Sequence, residues 1–314
     1  MQRSIFMGAI GLWVLTGILS SVWAAQERYV REQVLLVSWG TSKEELGLIE
    51  AEGEEPYGPE ALAVSGDRLY ILDGANRRIQ QYDTEGRHLA SLKMEIAGQA
   101  MDATPDGILY VLDPFGSVIA VYDRDGALRG TYRYDMPKAL DKETLPISRI
   151  IVSRGGEVLL GTYRDVYPVT LKPSPSKVGR LRKGIPSDDQ EKRVVIAGGD
   201  EHRAYLLIED RSGKTIQRTA VDTEDPLASL TFVKTDRSGH LYTIVETFDP
   251  RDEETIRIRR EVRKYDREGK LLARMELALG YTYCPGGDVD VDPEGTIYHL
   301  LTMPSGAKVI RWRK

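Results

Sequence analysis

Residues 58–92, GPEALAVSGDRLYILDGANRRIQQYDTEGRHLASL, decide how this chain is read, because they return almost at once as residues 98–133, GQAMDATPDGILYVLDPFGSVIAVYDRDGALRGTYR. Tyr70, Asp73, Tyr82, Asp83 and Gly86 recur as Tyr110, Asp113, Tyr122, Asp123 and Gly126, each 40 residues further on. A fixed period of roughly 20–50 residues marks a repeat architecture. Inside the first copy, short alternating segments at 61–64, 68–72, 78–82 and 88–92 are separated by Ser65-Gly66-Asp67, Asp73-Gly74-Ala75-Asn76 and Asp83-Thr84-Glu85-Gly86. Such clusters are turn formers, so each copy reads as four short antiparallel strands. That is one blade of a β-propeller.

Working outward, the copies wear but persist. Residues 147–160 supply the first two strands of a third blade, with 166–171 and 178–181 as its third and fourth. Lys172-Pro173-Ser174-Pro175-Ser176 lies between the last two as a turn. Residues 193–208 open a fourth blade, continued by 214–221. A fifth runs over 230–245, 255–265 and 271–277, with Asp266-Arg267-Glu268-Gly269 repeating the turn of 83–86. A sixth opens at 288–301 and its third strand is 308–312. It is one strand short, and the orphan segment Val34 to Trp39 fits the gap. Closing a ring in this way removes free sheet edges. The expected fold is all-β, a six-bladed β-propeller closed by an N-terminal strand, with residues 25–314 forming one domain. Residues 44–55 are acidic and polar, and read as a loop with a short strand near 46–49.

Of the 314 residues, 41% are hydrophobic and 29% charged, an ordinary globular composition. A formal net charge of -5 sets up no field for nucleic acid or an anionic membrane. Arg3, the uncharged apolar run 5–19 and the small residues around Val22-Trp23-Ala24 read as an export signal over residues 1–24. The chain is then expected outside the cytoplasm, in the periplasm or extracellular space. The alternative is an uncleaved anchor, because 5–25 is just long enough to span a bilayer, and this segment is the one expected membrane contact. Cys284 is the only cysteine, so no intrachain disulfide is possible. A monomer is expected.

The Leu69-Tyr70-Ile71-Leu72-Asp73 run, followed by Asn76-Arg77-Arg78-Ile79-Gln80 and Tyr82-Asp83, resembles the NHL-repeat family of six-bladed propellers. Residues 292–298, DPEGTIY, look like that family's first hairpin. The resemblance implies a fold that hosts binding modules and enzymes alike. Two enzyme groups on the general scaffold bear on the site: gluconolactonase-like calcium lactonases and zinc-dependent peptide-amidating lyases.

The lyases hold zinc with histidines around the channel. Here His88, His202, His240 and His299 share no ligand spacing, so solvated or core histidines are expected. Asp288, Asp290 and Asp292 alternate onto one strand face and could offer oxygens to calcium. Alternatively, Asp292 starts the repeat's own turn and Asp290 pairs with a neighbouring blade. For a lactonase, the resemblance implies calcium at Glu60 and Asp288, although Gly58-Pro59-Glu60-Ala61 does not reproduce that group's order. Asp73 and Asp113 read as turn and inter-blade residues. The basic run 257–274 reads as the solvated face of a long outer strand.

Position gives the last signal. In a propeller, the loops leading into first strands and out of second strands crowd one end of the ring. Alignment of the repeats places Glu60, Ala100, Arg149, Arg193, Phe232 and Asp288 at one level there, with Tyr163, Arg164, Tyr281 and Tyr283 in nearby loops. Two acids and two arginines at a channel mouth make either a ring of mutual ion pairs or a ligand site. The leading expectation is an exported binding or protein-interaction module taking a partner protein or a small polar ligand, with no cofactor. The alternative is a calcium-dependent lactonase-type hydrolase.

Overall fold

The computed structural model describes residues 27–136, 147–153, 155–162, 164–173, 175–187, 190–249 and 257–314. The expected export segment lies outside the described residues, as does Tyr163. Among the described residues no helix is long and apolar enough to cross a membrane.

Six small sheets form a six-bladed β-propeller. The closing strand comes first in the chain, β1 (Val30–Val37). Blade 1 is β2 (Ala61–Ser65), β3 (Arg68–Asp73), β4 (Arg78–Asp83) and β5 (His88–Lys93). Blade 2 is β6 (Ala100–Ala103), β7 (Leu109–Asp113), β8 (Val118–Tyr122) and β9 (Leu128–Arg133). Blade 3 is β10 (Arg149–Val152), β11 (Val158–Gly161) and β12 (Asp165–Thr170), with β13 (Lys177–Val178) and β14 (Arg182–Lys183) both paired to β12 as a divided fourth strand. Blade 4 is β15 (Ile185–Pro186), β16 (Lys192–Asp200), β17 (Arg203–Asp210) and β18 (Thr215–Asp222). Blade 5 is β19 (Leu227–Thr235), β20 (Leu241–Phe248), β21 (Ile258–Tyr265) and β22 (Leu271–Leu277). Blade 6 is β23 (Val289–Val291), β24 (Ile297–Met303) and β25 (Gly306–Arg313), and its outermost strand is β1.

The closure expected from sequence is therefore present, shifted a few residues towards the N-terminus. β1 pairs antiparallel with β25 from Val30↔Arg313 to Val37↔Ala307, with a bulge near Val34. Glu32 fixes it by accepting from Arg311 at 2.7 Å and Arg313 at 2.9 Å. Gly86, in the β4–β5 turn, has φ +84, and a Cβ there would sit 1.8 Å from the Val34 carbonyl oxygen. Gly126 and Gly269 press in the same way on Leu92 of β5 and Thr219 of β18, the outer strands of the preceding blades. Seen from its neighbour, β1 thus occupies the place of an ordinary fourth strand.

The core lies between blades, not at one centre. Tyr70 and Leu72 of blade 1 pack with Met101 and Val111 of blade 2. The other face of β3, Leu69 and Ile71, packs with Leu300 and Val309 of blade 6. A strand buried on both faces has no polar side to show, which is why 69–72 is apolar throughout.

Segment 38–57, between β1 and β2, lies over the blade 1 end of the ring. Asp73 is buried, and its carboxylate accepts from the Gly47 amide at 2.9 Å and from Arg78 Nε at 2.9 Å. Arg78 donates to the Glu45 carbonyl at 2.6 Å, Asn76 to the Gly40 carbonyl at 2.9 Å, and Gln80 to the Lys43 and Glu45 carbonyls at 2.9 Å. The polar residues behind the NHL resemblance hold this segment down. Asp113, their counterpart in blade 2, keeps turn chemistry with the Gly116 amide at 2.7 Å.

Candidate functional site

Two first-strand aspartates do identical work. Asp290 accepts from the Val64 amide of the next blade at 2.8 Å, and Asp102 from the Val152 amide of the next blade at 2.7 Å. Lys234 occupies the matching position on β19, as each of the three pairs with a tyrosine on its second strand, Tyr298, Tyr110 and Tyr242. Its ammonium lies 2.9 Å from Asp290 and 3.8 Å from Asp102. Burial pushes the Asp102 carboxyl up, against the pull of Lys234. Lys234→Met leaves two buried carboxylates without their nearest cation. It should cost about 3–5 kcal/mol at neutral pH in urea unfolding, with the loss shrinking as acid protonates Asp102, whose carboxyl burial pushes up. An equal loss at pH 4 and pH 8 would contradict this account. Asp292 starts the repeat's turn, accepting from the Glu294 and Thr296 amides.

Above this plug lies a cavity of about 730 Å³. Blades 3, 5 and 6 line it, with Glu55 and Pro56 from the overlying segment. The first strand of blade 4 is only Ile185–Pro186. That short strand leaves room for Arg149 of β10 to reach past blade 4 and donate to the Phe232 carbonyl of blade 5 at 3.2 Å. Arg149 also borders the smaller space beside Asp102 and Asp290, so it forms the floor between cavity and channel. Among the described residues no carboxylate lies within ion-pair distance of it. Burial pulls its guanidinium down, while the more distant Asp102 and Asp290 carboxylates pull it back up. An arginine nonetheless stays charged.

The opposite wall centres on Arg260 of β21. Its fork holds both Asp288 oxygens, at 2.6 Å and 3.0 Å, and its Nε lies 2.8 Å from Glu246. Ser229 donates to the other Glu246 oxygen at 2.7 Å. Burial alone would raise the Asp288 carboxyl, but the His299 ring at 3.4 Å and Arg260 outweigh it and hold it well below the usual carboxylate range. Sequence alone does not single out Arg260, because run 257–274 alternates basic with apolar residues and reads as a solvated face. In fact Arg263 and Lys264 are also buried, Arg263 bound to Glu261 at 2.6 Å and Lys264 to Glu27 at 2.9 Å. β21 is a third strand, covered by β22, and ion pairs carry its charges inside.

Of the site residues expected from sequence, Arg149, Asp288 and Tyr283 line the cavity. Arg193 does not reach it. It sits on β16, a second strand, paired with Pro186 and Glu209, because the first strand of blade 4 is the short pair before it. Phe232 points its ring into the packing between blades 4 and 5. A bulge between Phe232 and Lys234 slips β19 by one residue and gives the lining places to Ser229 and Thr231. Arg164 lies in the turn between β11 and β12, its amide bonded to Thr162 Oγ1 at 3.3 Å. Tyr281 is at the rim, and Tyr283 is 75% exposed.

Glu60 is 1% exposed, its two carboxylate oxygens have no hydrogen-bond partner among the described residues, and burial raises its carboxyl to about 8. Burial likewise pushes the Cys284 thiol up. The histidines stay apart: His88 contacts Gln80 and Ser91, His240 contacts Asp236, and His299 stacks on Trp312. A calcium ion asks for six to eight oxygens. Asp288 gives both of its oxygens to Arg260, and no cluster of three or more metal-binding side chains forms among the described residues. Glu60 and Asp288 as they stand do not fit a calcium cage.

No protein-family model matches the chain, and no curated protein matches it in sequence. Among solved structures it is similar to the WD40 domain of Toxoplasma gondii coronin, at 11% identity over 92% of this chain and 87% of that one, with a TM-score of 0.50. It is also similar to virginiamycin B lyase from Staphylococcus aureus, at 10% identity over 91% and 100% of the two chains, with a TM-score of 0.45. A Bacteroides caccae protein of unknown function shares 16% identity over 73% and 93%, with a TM-score of 0.45. At such identities likeness concerns the fold alone, and by fold the chain is a six-bladed β-propeller.

Proposed function

We propose that this chain is an exported, NHL-like binding module whose ligand or partner enters the cavity at the channel mouth and places an anionic group on Arg149. One observation carries the reading: Arg149 is a partly buried cation on the floor of a cavity of about 730 Å³, and among the described residues its one side-chain hydrogen bond goes to a backbone carbonyl. A cavity of that size with a few convergent polar groups is the usual form of a small-ligand site. An arginine fork suits a carboxylate. The competing account makes Arg149 a second counter-ion for Asp102 and Asp290, with no ligand.

The two accounts separate on Arg149→Met. Binding of 3-phenylpropionate should be measurable by calorimetry at millimolar concentration, and Arg149→Met should weaken it roughly tenfold or more. Its amide, 3-phenylpropanamide, should bind poorly to both forms. Equal affinity of wild type and variant for the acid, with a lowered melt in the variant, would leave Arg149 as a structural counter-ion.

A further inference from the structure

The cavity is electrically lopsided. On its floor stands Arg149, with no carboxylate at ion-pair distance among the described residues. On its far wall two carboxylates, Glu246 and Asp288, share one cation, Arg260. The His299 ring also faces Asp288 at 3.4 Å, and with that ring neutral the wall keeps one surplus negative charge. Glu246 is reachable, since its side chain is 28% exposed and lines the cavity. One of its oxygens accepts from Ser229, the other lies 2.8 Å from Arg260 Nε, and a carboxylate oxygen can accept more than one bond. The rest of the lining mixes apolar and aromatic side chains, among them Val233, Ile244, Leu279 and Tyr281, with the polar Ser148, Thr231 and Thr282.

A simple anion would satisfy the floor and be repelled by the far wall. A simple cation would meet the reverse. Resting on the binding reading above, we propose that the ligand is an amphipathic zwitterion, an α-amino acid or short peptide with free termini. Its carboxylate lies on Arg149, its ammonium on the Glu246 side, and its apolar side chains against Leu279 and Tyr281. The charge pattern selects against uncharged and singly charged molecules because each would leave one pole desolvated and unmatched.

The test uses three probes on the chain and two variants, read by calorimetry: the dipeptide phenylalanyl-leucine, its des-amino analogue 3-phenylpropionyl-leucine, and its C-terminal amide. The zwitterion should bind at least roughly tenfold more tightly than either truncated form. Glu246→Gln should weaken the zwitterion by a similar factor and should tighten, not weaken, the des-amino acid, whose repulsion from the far wall it relieves. Arg149→Met should weaken both acids. If the des-amino acid binds as tightly as the dipeptide and Glu246→Gln changes nothing, the zwitterion inference is overturned, while a persisting Arg149 effect keeps the binding reading. If Arg149→Met also has no effect on any acid, the binding reading falls with it. A wild-type chain that binds none of the three overturns the inference as well.

Discussion

A chain lacking residues 27–40 should lose its cooperative melt and aggregate. Removing β1 uncovers the whole hydrogen-bonding edge of β25, from Ala307 to Arg313. It also strips buried Leu35 and Val37 from the cluster they share with Val309 and Leu300. Arg311, itself buried, loses Glu32, and Lys264 loses Glu27. An open sheet edge of this kind is a template for pairing with other chains. A milder variant probes the same joint from the other side. Gly86→Val puts a β-branched side chain at φ +84 and a Cβ against the Val34 carbonyl. The substitution should lower the melt strongly, because backbone and not a flexible side chain stands in the way. A monomeric deletion variant that melts at the wild-type temperature would refute the role of β1.

The second large effect is a pH dependence carried by Glu60. Its carboxyl ionises near 4.5 when exposed and at about 8 in the folded chain, because burial is not offset by a hydrogen bond from any described residue. The folded state therefore holds a proton that the unfolded state has released between those values. Its contribution to stability is complete below about 4.5 and is lost as pH rises through about 8. The full span is on the order of a few kcal/mol, at 1.36 kcal/mol per unit. Glu60→Gln mimics the protonated form at every pH. The stability difference between variant and wild type should be small at pH 5 and should favour the variant by several degrees in Tm at pH 8.5. A difference that stays flat from pH 5 to pH 9 would show that Glu60 finds a partner or water in solution.

Much of the fold was legible in residues 58–133, and the reason is local. Each blade depends on short-range turn chemistry, such as Asp123 accepting from the amides of Asp125 and Ala127, and on alternation within a few residues. Those signals survive in one strand of sequence. The missing fourth strand after Trp312 even announced the closing strand, because a blade without its edge is an accounting error visible in the chain. The site was legible only where a blade kept the standard repeat. Arg149 and Asp288 fell on the cavity because β10 and β23 follow the pattern. Arg193 and Phe232 did not, because a two-residue first strand in blade 4 and a bulge in β19 each break the count by which side chains are assigned to faces.

By itself, then, the amino-acid sequence determined the blades, their number and the closure of the ring, since these rest on period, turn residues and alternation. The tertiary structure alone decided the electrostatics. It paired Arg260 of one blade with Asp288 of the next, set Lys234 between aspartates from two other blades and, among the described residues, left Glu60 without a hydrogen-bond partner and Arg149 without a carboxylate at ion-pair distance. Such facts depend on which residues far apart in the chain meet, and on how much water is removed where they meet. Charge energies there vary with distance and burial, and neither quantity is written in the order of residues.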